Sequence, residues 1–170
     1  MRNIEVKARV EDPARLVGRL LELGATLSWE RHQRDTFFSV PEGFLKLRET
    51  DGRAELIAYR REPASEPRPS DYEVAKVDEP VQVAALLRGR FGVRGIVEKQ
   101  RRCFQWRHTR IHLDEVEGLG PFVELETVVT SGLSDEAADA EAREVMRRLE
   151  IDPAADVPGA YLELIEGRAG

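Results

Sequence analysis

Only one cysteine, Cys103, occurs in the 170 residues. No internal disulfide can form, and no zinc-type ligand spacing surrounds it. Cys103 reads as an inert packing residue in a chain suited to a reducing compartment, and the expected location is cytoplasmic. No apolar run approaches the roughly 18 residues that a membrane helix needs. Nor does a basic segment followed by an apolar one open the chain, as a secretory signal would. Positive charge is not in excess either, since 26 Lys and Arg stand against 32 Asp and Glu for a net charge of −6. That argues against a nucleic-acid binder relying on bulk electrostatics. No nucleic-acid or membrane partner is expected. Aromatic residues make up 6% of the chain, and no cluster plainly forms an adenine pocket.

What is present is charge in a regular order. With 34% charged and 41% apolar residues and a mean hydropathy of −0.44, the composition is that of a soluble globular protein. Its length fits one domain, residues 1–170, large enough to bury a core. The first strand sets the pattern. Asn3, Glu5, Lys7 and Arg9 fall on one face, and Ile4, Val6, Ala8 and Val10 on the other, because strand side chains alternate. Asp12-Pro13 then opens a helix with an apolar stripe of Leu16, Val17, Leu20, Leu21 and Leu23, stopped by Gly24. Strands are expected at 29–40, 44–50 and 54–61, the last two joined by the hairpin signal Asp51-Gly52.

The Pro- and Ser-rich segment 62–70 separates two halves that look alike, about 1–61 and 71–130. The second half repeats the order: a strand at 71–77, a helix opened by Asp78-Glu79-Pro80, then strands at 96–106, 110–116 and 122–129. That helix carries Val81, Val83, Leu86, Leu87 and Phe91 and stops at Gly92. Ser134 caps a third helix, and a short tail after Pro158-Gly159 completes a helical C-terminal segment, 134–166. Eight strands in two equal units point to an α+β protein. Its sheet is expected to be antiparallel and closed into a barrel, with helices packed outside. An open eight-stranded sandwich is the alternative.

Strand parity gathers the chemistry on the polar faces. Basic members are Lys7, Arg9, Lys46, Arg48, Arg61, Lys99, Arg101 and Arg110; acidic members are Glu5, Glu73, Asp114, Glu124 and Glu126, with His112 among them. Several opposite faces are apolar and have helices to pack against, which turns the charged faces inward. Burying so many unpaired ions dry would cost several kcal/mol each, so a wet, ligand-binding lumen follows. The cations suit a polyanion. The carboxylates Glu5, Glu124 and Glu126 suit a hard divalent cation, Mg²⁺ or Mn²⁺. A triphosphate bound as its metal complex fits both. The other reading is a solvated sheet face carrying ordinary ion pairs.

Several runs carry a family resemblance. They are Asn-x-Glu-x-Lys at 3–7, Arg34-Asp35-Thr36-Phe37-Phe38, Leu45-Lys46-Leu47-Arg48, Tyr59-x-Arg61, Ser70-Asp71-Tyr72 and Lys99-x-Arg101. Arg110-x-His112-x-Asp114 and Gly118-Leu119-Gly120-x-Phe122-x-Glu124-x-Glu126 complete them, with an echo at Ala160-Tyr161-x-Glu163-Leu164. Together they resemble the CYTH family of triphosphate tunnel metalloenzymes, which includes class IV adenylate cyclases, thiamine triphosphatases and inorganic triphosphatases. The resemblance implies an eight-stranded tunnel that binds a triphosphate and a divalent metal. By position, Glu5, Glu124 and Glu126 would hold the metal, and Asp114 would bind or orient a second. Lys7, Lys46, Arg48, Arg61, Lys99, Arg101 and Arg110 would grip phosphate oxygens, joined on the charged face by Arg9 and His112. Lys7, Glu5 and Asp114 would carry the catalytic roles.

The family's first strand usually reads Glu-x-Glu-x-Lys, and here Asn3 replaces the first Glu. An oxygen ligand is kept and one negative charge is lost. The implied activity is metal-dependent hydrolysis of an inorganic or small organic triphosphate such as tripolyphosphate, thiamine triphosphate or ATP. The alternatives are cyclisation of ATP to cyclic AMP and pyrophosphate, or a non-catalytic polyphosphate- or nucleotide-binding module. Whether the chain forms a homodimer is left open. Trp29, Tyr59, Tyr72 and Trp106 read mainly as packing residues, and His32 and His108 as surface ones.

Overall fold

The computed structural model describes residues 2–60, 71–129 and 132–168. Arg61 and the whole Pro-rich connection, 62–70, fall outside them. The chain runs β1 (Arg2–Arg9), α1 (Pro13–Leu23), β2 (Thr26–Phe38), β3 (Phe44–Thr50) and β4 (Arg53–Arg60). It continues as β5 (Asp71–Val77), α2 (Pro80–Phe91), β6 (Val93–Trp106), β7 (Thr109–Val116) and β8 (Gly120–Val129). Then come α3 (Asp135–Leu149), a 3₁₀ turn at Pro153–Ala155 and α4 (Tyr161–Glu166). Local chemistry sets these boundaries. Asp12 accepts from the Arg15 amide to start α1, and Gly24, at φ +81°, ends it in the left-handed region that glycine enters without strain. Asp51 and Gly52 both have positive φ, 45° and 77°, as a type I′ hairpin turn requires.

All eight strands join one antiparallel sheet in the order β1-β8-β7-β6-β2-β3-β4-β5. The order is symmetric about the β6–β2 pair, with strands four apart in number at equal distances from it. The expected closure is not made by hydrogen bonds, because β1 and β5 are the two ends of the ladder. Instead, the C-terminal segment occupies the outer edge of β1. The Val157 amide donates to Lys7 O at 2.7 Å, and the Lys7 amide donates to Asp156 Oδ1 at 3.1 Å. An edge strand's free backbone groups need such partners.

The two faces differ as parity demands. The apolar face of β1, β7 and β8 packs Ala8, Ile111, Leu113, Val123 and Leu125 against Leu16, Leu20 and Leu23 of α1 and Val145, Met146 and Leu149 of α3. Each fully buried aliphatic side chain there contributes about 1.5–3 kcal/mol. A smaller core on the same face of the other half holds Phe38, Leu47 and Ala54, with Ala84 and Leu87 of α2 partly buried against it. The apolar stripe expected of α2 is therefore poorly used. No α2 residue is fully buried, and Val81 and Leu86 are 79% and 68% exposed.

One helix corrects the expectation that all helices lie outside. Tyr161 and Leu162 of α4 pack against Phe37, Val97, Val116 and Phe122 on the inner, charged face. That contact needs Gly95: a Cβ there would stand 2.5 Å from Leu162 Cδ1. The reason α4 turns inward is its apolar face. The inner ends of β2, β6, β7 and β8 offer the complementary apolar patch.

Candidate functional site

The register places the charged side chains opposite one another. Across β1 and β8, Glu5 faces Glu126 and Lys7 faces Glu124. Across β7 and β8, Arg110 faces Glu126 and His112 faces Glu124, and Arg101 of β6 faces Asp114. Arg48 of β3 faces Asp35 of β2. Directly opposite residues of an antiparallel pair share a face, so all of these point to one side of the sheet. Glu73 does not join them. It pairs with Ala58, which in turn faces Leu45, so it stands exposed on the opposite face, displaced because β5 pairs one residue out of the expected parity.

Two buried aspartates organise the inner face. Asp35 accepts from Nε and Nη2 of Arg48, both at 2.7 Å, and from Lys46 Nζ at 2.8 Å. Burial alone would raise its pKa, but Lys46 and Arg48 hold it well below the carboxylate range. Asp114, 1% exposed, accepts from Arg101 Nε at 2.6 Å and Nη2 at 2.5 Å. The Tyr161 hydroxyl also donates to it at 2.8 Å, and Lys99 Nζ lies 3.6 Å away. Arg101 bridges onward to Glu124. Burial raises the Tyr161 pKa, with Glu124 and Asp114 adding to the effect, so the side chain stays a phenol and can only donate to the carboxylate.

The lysines are the soft members of this set. Burial pushes Lys46 down to about 8 against the pull of Asp35, and Lys99 down to about 7, where Arg101 adds to burial. Lys7 donates to Gly159 O at 2.5 Å, lies 3.5 Å from Glu124 and stands 4.6 Å from the centre of the Tyr161 ring. Arg9 sits apart, exposed, with its guanidinium over the Phe122 ring at 4.7 Å.

The expected metal carboxylates share the face without converging. Glu124 is drawn to Arg101 and Lys7, which outweigh the effect of burial and hold its pKa well below normal. Glu126 accepts from Asn3 Nδ2 at 2.6 Å and pairs with Arg110 and His112 at 3.1 and 3.3 Å. Burial lowers the His112 pKa, and Arg101 adds to that. Among the described residues, no three His, Cys, Asp or Glu side chains gather closely enough to hold a metal ion. The donor chemistry still fits a hard cation. Glu5, Glu124 and Glu126 are carboxylates on adjacent strands, and the buried Asn3 Oδ1 has no hydrogen-bond partner among the described residues.

Asp35, Tyr161 and Gln33 are inner-face residues that strand reading had not assigned to the site. Asp35 was visible as an odd-numbered charge on β2, in step with Phe37. Tyr161 gave no local signal beyond its place in the C-terminal echo. Elsewhere the structure places His108 beside Glu141, whose carboxylate also accepts from Thr109 Oγ1 at 2.8 Å. Cys103 is buried and free. No helix among the described residues is long and apolar enough to cross a membrane. A cavity of about 370 Å³ lies near the β7–β8 turn, lined in part by His32, Glu98, Glu115 and Glu117. Those carboxylates make it unsuitable for an anion.

The profile of the CYTH domain matches residues 1–161. A Methanocaldococcus jannaschii protein, provisionally named an adenylate cyclase, is 23% identical over 174 residues, covering 96% of this chain and 98% of its own. The solved structure of the PH1012 protein from Pyrococcus horikoshii is similar with a TM-score of 0.85 at 27% identity, covering 96% of this chain and 99% of its own. A Hippeastrum protein, provisionally named an adenylyl cyclase and described as having a dominant triphosphatase activity, is similar in fold. Its TM-score is 0.73 at 16% identity, with 98% of this chain and 96% of its own covered. With the profile running through nearly all of its length, over the same strands that carry the charged face, this chain belongs to the CYTH domain family.

Proposed function

We propose that the chain is a divalent-metal-dependent enzyme that hydrolyses a triphosphate held along the inner face of the sheet. The observation that carries this reading is the convergence of Lys46, Arg48, Lys99, Arg101 and Lys7 from β3, β6 and β1 on one face of the sheet. The description of the Hippeastrum protein supports hydrolysis. Phosphoryl transfer asks the protein mainly for positioning and for cations on the non-bridging oxygens. Lys46 and Arg48 bind the terminal phosphoryl group, and Lys99 and Arg101 the next. Arg110, partly open to solvent, takes the last. Arg9 steadies the rim, and Arg61 is assigned by resemblance alone.

Mg²⁺ or Mn²⁺ would be held by Glu5, Glu124 and Glu126 beside the Asn3 oxygen. When bound, the ion supplies Lewis-acid withdrawal of charge from phosphoryl oxygens and lowers the pKa of water. Asp114 acts through Arg101 and Lys99, which it orients, and Lys7 is aimed by Gly159 and Tyr161. Water adds to the terminal phosphorus, and the bond to the bridging oxygen breaks to give orthophosphate and a diphosphate.

The name of the Methanocaldococcus relative favours a second reading, cyclisation of ATP. Incubation of the protein with tripolyphosphate, thiamine triphosphate and ATP in Mg²⁺ or Mn²⁺ tests both. Orthophosphate release supports hydrolysis, while cyclic AMP with pyrophosphate replaces it with cyclisation. Binding without any product leaves only a binding module. Glu126→Gln should lower turnover by at least the ~100-fold seen for groups that orient metal ligands; unchanged turnover removes Glu126 from the metal site.

A further inference from the structure

Among the described residues eight large apolar side chains stand exposed, and five of them share one place. Val81, Leu86 and Phe91 of α2, with Val93 and Ile96 at the start of β6, are between 37% and 79% exposed. Val93 pairs with Phe38 and Ile96 with Thr36, and Thr36 pairs in turn with Leu47. Phe38 and Leu47 are the residues that α2 covers, so the patch lies on the outer face. α2 is apolar on more than its sheet side. Ala84 and Leu87 pack inward, while Val81, Ala85 and Leu86 are exposed. A helix of that kind is normally covered on its far side too. The other half of the fold shows how. There α1 shares its core with a second helix, α3, through Leu16, Leu20, Val145 and Met146. The core that α2 joins contains no second helix among the described residues.

The charges at the ends of α2 show which helix fits. Asp78 and Glu79 precede its first turn, and Arg88 and Arg90 lie in its last; all four are exposed. A second α2 laid antiparallel sets each acidic end against a basic one, twice over about a two-fold axis. A parallel copy would set like charge against like. Centred on Ala85, the antiparallel pair also brings Val81 over Gly89 of the other copy. A Cβ at Gly89 would meet nothing within 4 Å, so packing inside the subunit does not require glycine there, although it costs about 1 kcal/mol in a helix interior. We propose that α2 is the centre of a symmetric dimer, in which α2 of a second copy takes the place that α3 takes beside α1. Two helices alone fall short of the roughly 800 Å² per partner of a stable interface, and Phe91, Val93 and Ile96 extend the apolar contact toward it. Lys46 and Arg48 lie on the other face, so this interface and the triphosphate reading stand or fall separately.

Sedimentation equilibrium of the full chain at micromolar concentration is the test, for wild type, Leu86→Glu, Gly89→Leu, Glu79→Lys, Arg90→Glu and the double reversal Glu79→Lys/Arg90→Glu. Wild type should sediment as a dimer of the 19.2 kDa chain. Leu86→Glu and Gly89→Leu should each weaken association by about 30-fold or more, as loss of a central interface contact does. Their circular dichroism should be unchanged, since both positions are exposed in the subunit. Each single charge reversal should weaken association about 10-fold, because symmetry turns two attractive pairs into two repulsive ones. The double reversal should restore it to within about threefold. A monomeric wild type overturns the proposal, as does a dimer that Leu86→Glu and Gly89→Leu leave intact. Failure of the double reversal to restore association overturns it as well. A monomeric wild type that co-sediments with vesicles of phosphatidylserine and phosphatidylcholine gives the face to a membrane surface instead, and overturns the dimer.

Discussion

Two aspartates, one in each half of the sheet, hold two cations apiece, yet their surroundings differ. Asp35 pairs with Lys46 and Arg48, and these three groups carry one uncompensated positive charge. Asp114 pairs with Lys99 and Arg101, Arg101 also reaches Glu124, and Glu124 pairs with Lys7, so three cations meet two carboxylates and again leave one positive charge. Tyr161 then closes the Asp114 cluster with a phenolic hydrogen bond. Each cluster keeps one positive charge to offer an incoming anion, but the cations of the second are the more deeply buried and are shared between two carboxylates. Both sides can grip, and the Asp114 side also has more to lose when its carboxylate is removed.

Breaking the Asp114 side should cost most. Asp114→Asn strips the carboxylate from two buried cations, and loss of one partner from a buried pair costs about 3–5 kcal/mol. Chemical denaturation should show that loss, together with weaker tripolyphosphate binding. Wild-type stability in this variant would mean that Arg101 and Lys99 do not depend on Asp114. Asp35→Asn should cost less, about 2 kcal/mol, because Lys46 can shed its proton and Arg48 keeps some access to water. Tripolyphosphate affinity should hold, since loss of the Lys46 proton offsets the lost carboxylate charge and a bound polyanion can restore that proton. A fall matching that of Asp114→Asn would erase the distinction between the two sides.

Titration offers a finer comparison. Lys46 sits at about 8 in the fold, below its ordinary 10.5. Between those values the unfolded chain holds more protons, so this lysine's part of the stability rises with pH across that window. A bound polyanion favours the ammonium, so binding should take up a proton above about pH 8. Tripolyphosphate affinity should then fall with a slope approaching tenfold per pH unit. Calorimetry in buffers of different ionisation heat measures the uptake, and a flat profile from pH 7 to 10 would exclude Lys46 from the grip. The smallest effect is expected where α4 is tied down at the surface. Arg94 donates to both oxygens of Glu166 at 2.8 Å, a partly exposed pair worth under about 1 kcal/mol. Arg94→Ala should lower the melting temperature only slightly; a large drop would show that α4 depends on this pair more than on Leu162.

Much of the face was legible in strand parity. Lys7, Lys46, Arg48, Lys99, Arg101, Asp114, Glu124 and Glu126 were read onto one side, and the register puts them there. The helix starts at Asp12 and Ser134 and the stop at Gly24 were equally local. Glu73 was misplaced because one step of register turns a side chain to the other face. The apolar residues of α1 and α2 looked alike, yet α1 finds α3 beside it while α2 lies alone against the sheet. Periodicity marks a face that could be buried and cannot say what covers it.

The sequence by itself determined which side chains share a face and where turns and caps fall. Those follow from backbone chirality and from bonds among residues a few positions apart. Only the tertiary structure decided that Tyr161 meets Asp114, that the tail rather than β5 lines the outer edge of β1, and that Glu124 and Glu126 are held by cations and an amide. Such pairings join residues up to well over a hundred positions apart. Their free energy comes from the docking of whole elements, which no short stretch encodes.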